Sequence, residues 1–266
     1  MVLLSKKETA TLLNGIFTSR YNAKNPPYWL FSFFAANFYE ALKKGFVNKK
    51  EPVNETLTLK DIALERALRE NVFYFAASKT QQQLIDFNKL LTNNDGTMRT
   101  KAQFLKVAGP TFENYNIHWF RTEYNTTQRL AKAGREWVGF ESQKEVFPYL
   151  RFIAVMDANT RPDHAAANGI IRPVDDPIWG ELQPPLDWNC RCRIEQVSKG
   201  KVTDLSKINL PKADPAFAHN VAKSRKIWKT HPYFDLSKAN RIVAKQLVIK
   251  EMAAFKQRIK KSKKND

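Results

Sequence analysis

The 266 residues include 44 Lys and Arg against 26 Asp and Glu, a formal charge of +18, and 43% are hydrophobic. That hydrophobic share excludes a wholly disordered chain and suffices for one large core or two modest ones. From Lys199 onward 18 basic residues stand against 5 acidic ones, a net of +13 that leaves only +5 for residues 1–198. Such an end is drawn to polyanions, of which nucleic acid is the commonest; the competing reading is a solubilising surface.

At the start, "MVLLSKKETATLL" breaks its apolar residues with Lys6, Lys7 and Glu8, so no signal-peptide core forms. The most apolar run, Tyr28 to Tyr39, is too short for a bilayer and contains Asn37. The expectation is a soluble protein of a reducing cytosol, in which a disulfide is not assumed. Leu30, Phe34, Phe38 and Leu42 recur every four residues after Pro26-Pro27 and predict a helix beginning just past the prolines. Its aromatic side, Trp29 to Phe46, reads either as core or as a protein-docking face. A second helix is expected from Thr58 to Lys89, with Ile62, Leu68, Val72, Phe75, Leu84, Ile85 and Leu90 marking its stripe. "TNNDGT" is a turn, and a third helix is expected over Phe112 to Trp137.

The period then changes. "RFIAVMD", Arg151 to Asp157, reads as a buried strand ending in a carboxylate. "CRCRIEQV" alternates, with Cys190, Cys192 and Ile194 on one side and Arg191, Arg193 and Glu195 on the other. Between them lies an irregular, proline-rich stretch forming a structured loop or two short elements. Residues 198–215 read as a connector, and 216–234 as a packed helix stopped at His231-Pro232. A last helix is expected from an N-cap at Ser237, carrying Val248, Met252, Phe255 and Ile259 and dissolving into a solvated, mobile "KQRIKKSKK".

Both cysteines of the chain sit in "PPLDWNCRC". Side chains two apart on a strand have Cα atoms roughly 6.6 Å apart, the long edge of disulfide geometry. Two thiolates on one face suit a shared metal ion, and zinc would draw two further ligands from His164, Asp157, Asp163 or Asp187. The alternative is that both thiols are small buried hydrophobes while Asp157 and His164 bond the loop backbone. A nucleophilic cysteine ranks third, because Arg191 and Arg193 point to the opposite face.

"MDANTRPDHAAANGIIRPVDD" followed by "PPLDWNCRCRIEQV" resembles the signature of phage head morphogenesis proteins of the Mu F-like family, also called minor head proteins. The resemblance maps onto Asp157, Thr160, His164, Gly169, Pro184, Pro185, Asn189, Cys190, Arg191 and Cys192. Upstream, Arg121, Thr122, Glu123 and Asn125 resemble the Arg-Thr-Glu helix of these proteins. Family members often carry Cys-x-x-Cys after the Thr and a His before the Cys-Arg-Cys, where this chain has Arg161, His164 and Asp187. A metal site of the family would here be reduced to His164, Asp187, Cys190 and Cys192, with a structural zinc as its ion and no other cofactor.

Periodicity and charge give an α+β fold class in three parts: a helical N-terminal region (1–104), a small module with a short sheet (105–198), which the resemblance covers, and a basic extension with a terminal helix (199–266). The resemblance implies a non-enzymatic protein of the virion, inside the capsid near the portal and in the host cytoplasm during assembly. The implied partners are portal protein, scaffold or major capsid protein and double-stranded DNA without sequence preference, with no membrane. Lys256, Arg258, Lys260, Lys261, Lys263 and Lys264 are the expected phosphate contacts. Two other readings compete. A metal-dependent nuclease or transferase built on Arg121, Glu123, Asp157 and His164 lacks a second His at a recognised spacing. A host nucleic-acid-binding protein lacks a reading module.

Overall fold

The computed structural model describes residues 1–47 and 57–265, with side chains as far as Lys261. Its helices are α1 (Lys6–Phe17), α2 (Tyr28–Phe46), α3 (Leu59–Lys89), α4 (Lys101–Glu113), α5 (Trp119–Ser142), α6 (Pro162–Ala166), α7 (Val221–Ser224) and α8 (Lys238–Asn265). The strands are β1 (Tyr149–Ile153), β2 (Ile171–Pro173) and β3 (Arg193–Val197). This is an α+β fold. No described helix is long and apolar enough to cross a membrane.

One compact unit comprises residues 1–40, 70–124 and 232–266. Its helix starts are chemically specified: Ser5 with Glu8, and Thr100 with Gln103, form reciprocal capping boxes that satisfy otherwise orphaned N–H groups. The stripe on α2 is core, with Leu30, Phe34, Phe38 and Leu42 all fully buried. Phe34 and Phe38 meet the Phe120 ring edge-on at 5.2 and 5.5 Å, and Phe38 meets Phe75 at 5.1 Å. Each such pair contributes about 0.5–1.5 kcal/mol beyond its area burial. The docking-face reading of this helix therefore yields to the core reading. From α8, Phe255 packs edge-on against Tyr39 at 5.1 Å, and Glu251 accepts from Tyr28 Oη and Arg258 Nη2, each at 2.6 Å.

The second unit comprises residues 41–69 and 125–231. Its sheet has the order β2-β1-β3, all antiparallel, with Tyr149 opposite Pro173 on one side and Val197 on the other. Trp137, Leu150, Phe152, Ile170, Trp179 and Leu186 form the core beneath it. Gly169 has φ +84, a left-handed turn that glycine adopts without a Cβ penalty, and its N–H returns 2.8 Å to the Phe152 carbonyl.

Several expectations are corrected. The third helix begins at Lys101 rather than Phe112, and a π turn over Asn114–His118 follows Pro110 before α5 resumes. In the second helix Ile62 is half exposed and lies off the buried stripe. β1 stops at Ile153, so Asp157 lies in the following turn. β3 begins at Arg193, after both cysteines, although the buried/exposed alternation runs through them. The packed helix expected in 216–234 shrinks to the four residues of α7, capped by Asn220. The basic end does not dissolve: α8 runs to Asn265, because its Lys, Arg, Gln and Ala content favours helix and no Gly or Pro interrupts it.

Candidate functional site

His164, Cys190 and Cys192 converge in the second unit. His164 rides on α6, where Pro162 occupies the first helical position and Asp163 Oδ1 accepts the His164 N–H at 2.9 Å. The imidazole is buried, and its Nδ1 lies 3.7 Å from Cys190 Sγ and 3.6 Å from Cys192 Sγ. All three ligand atoms fall within 4.8 Å of one another. Both thiols are free. Cys190 is drawn down to about 5 by the hydrogen bond from Cys192, and sharing that proton pushes Cys192 up.

The segment carrying the cysteines is held from outside. Asn189 takes a left-handed conformation, φ +59, which Asn tolerates better than most residues. Cys190 N–H donates to the Asp187 carbonyl at 3.1 Å, and the Cys190 carbonyl accepts from Arg129 on α5 at 2.7 Å. Arg191, between the two cysteines, forks onto both oxygens of Asp157 at 2.7 and 2.6 Å. Two parallel charge-assisted bonds fix orientation as well as distance. Asp157 also accepts from Asn159 N–H, and the Thr160 hydroxyl donates to the Val155 carbonyl, folding the turn that leads into α6. Arg191 thus holds Asp157 down to about 2.

The expected ligand set is therefore gathered in part. Asp187 does not join the group: its Oδ2 lies 3.1 Å from Arg161 Nη2, and its Oδ1 accepts the Trp188 N–H at 2.6 Å. Asp157 and Thr160 build the turn, and Gly169 lies beyond α6 in the turn before β2. In the other unit Arg121 is exposed, whereas Glu123 is buried and paired with Lys79. They share no pocket, as their two-residue separation on a helix requires. Lys256, Arg258, Lys260 and Lys261 are exposed, with Arg258 tied to Glu251. The side chains of Lys263 and Lys264 lie outside the described residues. Arg129 carries no local sequence signal as a site residue, because its bond to the Cys190 carbonyl spans 61 residues.

Residues 92–195 match the family described as Phage Mu protein F like protein. The putative capsid assembly protein F of Escherichia phage Mu is 27% identical over 201 residues, 70% of this chain and 43% of that protein. The Mu-like prophage FluMu F protein of Haemophilus influenzae is 40% identical over 79 residues, 30% of this chain and 18% of that protein. An uncharacterized protein of Methanocaldococcus jannaschii is 29% identical over 130 residues, 48% of this chain and 19% of that protein. The matches thus span less than half the length of these relatives. No solved structure matches the chain. The chain's likeness to the Phage Mu protein F like family thus lies in residues 92–195, with the Asp157–Cys192 constellation inside them.

Proposed function

We propose that this chain is a phage minor head protein acting in head morphogenesis. The family match over residues 92–195 carries this reading, supported by a relative named for capsid assembly. The site favours a structural role: its polar groups mostly grip one another, with Asp157 on Arg191, Asp187 on Arg161 and Arg129 on a carbonyl. The protein sits in the capsid interior close to the portal, docking on portal protein, scaffold or major capsid protein.

The C-terminal half of α8 contacts packaged double-stranded DNA. Lys256, Lys260 and Lys261 are solvated and available for phosphates, and a helical presentation gives them fixed spacing along one rod. Deleting the gene from a producing phage and complementing it in trans tests the proposal. Loss of DNA-filled heads, restored by complementation, is the expected result. Unchanged head yield and infectivity would overturn it.

A further inference from the structure

We propose that His164 Nδ1, Cys190 Sγ and Cys192 Sγ bind one zinc ion whose fourth position is an exchangeable water rather than a protein ligand. Zinc–sulfur and zinc–nitrogen bonds of about 2.3 and 2.0–2.1 Å at a tetrahedral angle put ligand N and S about 3.6 Å apart. Nδ1 lies 3.6 and 3.7 Å from the two sulfurs. A hydrogen-bonded cluster accounts for this less completely. Nδ1 has one lone pair and can accept from one thiol only, yet both sulfurs stand at the same distance from it. A cation at the centre uses all three groups, and any thiol proton present at binding leaves to solvent.

The open position follows from what surrounds the three ligands. Asp187, the nearest acidic residue in sequence before Cys190, has one oxygen on Arg161 and the other on a backbone N–H. Against His164 and both cysteines lies a cavity of about 20 Å³, bordered by Asn159, Thr160 and Asn189. That volume holds about one water, and polar neighbours are what an ordered water needs. Three protein ligands plus a water distinguish this arrangement from the closed four-ligand sites that only staple a fold.

The test uses the full chain, purified without chelator. Elemental analysis is expected to find about one zinc per chain. Cobalt(II) exchanged into the site is expected to give visible bands of tetrahedral intensity and a thiolate charge-transfer band. Azide should shift the visible bands by replacing the water. Cys190→Ser and Cys192→Ser should each weaken the charge-transfer band, while Asp187→Asn should leave the spectrum unchanged; far-UV circular dichroism checks that each variant is folded. Wild-type protein that neither contains zinc nor takes up cobalt would overturn the metal site. A cobalt spectrum indifferent to azide but altered by Asp187→Asn would overturn the open position. Neither outcome depends on whether the chain is a head protein.

Discussion

Lys79 Nζ lies 2.9 Å from Glu123 Oε2, and both side chains are almost completely removed from solvent. Tyr233 Oη donates to Glu123 at 2.7 Å, and the rings of Phe34, Tyr115 and Tyr233 each stand 5.2 Å from the ammonium. Burial lowers the Lys79 pKa and raises that of Tyr233. The pair ties α3, α5 and the segment before α8 together within one unit, where four of the participating groups are far apart in sequence.

Breaking this pair should be costly, whereas replacing it should not. Lys79→Met leaves the Glu123 carboxylate buried without its cation and is expected to destabilise by about 3–5 kcal/mol. Lys79→Met with Glu123→Leu should recover much of that loss. Urea unfolding of the two variants and the wild type, compared at equal slope, measures both quantities.

Asp157 makes stability depend on acid. Its folded pKa of about 2 lies below the ordinary 3.8, so its contribution is fully present above pH 4 and lost as pH falls through 2. Asp157→Asn should flatten the acid limb of the stability profile in that window. The same variant at neutral pH should loosen the Cys190–Cys192 segment, read as faster exchange of its backbone amides. An unaltered acid limb would show that the Arg191 fork contributes nothing.

Gly169→Ala tests a backbone requirement rather than a contact. A Cβ there would meet nothing within 4 Å, so any cost comes from φ +84 alone. The expected destabilisation is about 1–2 kcal/mol. Gly45→Ala is a contrasting case, because its Cβ would fall 2.3 Å from the Gln128 carbonyl oxygen and force α2 away from α5 within the second unit.

Substituting Lys256, Lys260 and Lys261 by Ala should weaken DNA binding uniformly across sequences. The slope of log affinity against log salt should shrink by about two to three, one counterion release per lost phosphate contact. Fluorescence anisotropy with two unrelated duplexes over a salt series provides the reading. An unchanged slope would remove α8 from the DNA contact.

Much of this architecture is written locally. The four-residue repeat from Leu30 to Leu42 identifies both the helix and its buried face, and Ser237 marks the start of α8 through its hydroxyl on the Asn240 N–H. The capping boxes at Ser5 and Thr100 were equally readable, since each places Glu or Gln three residues after a hydroxyl. Other features are set by distant partners. The three residues of β2 carry too little pattern to read, and exist because β1 supplies their hydrogen bonds. Glu123 finds Lys79 from 44 residues away, and Arg129 finds the Cys190 carbonyl from 61. The thiol–imidazole convergence was legible from residue types, whereas the diversion of Asp187 onto Arg161 required the fold.

The proposed function makes this chain a component of the phage head. Quantitative mass spectrometry of purified procapsids and mature particles, referenced to the major capsid protein, tests it most directly. A reproducible signal at a small, fixed ratio to the major capsid protein is the predicted result. Absence from both particle types would overturn that reading and leave the match over residues 92–195 as a likeness without a place in the virion.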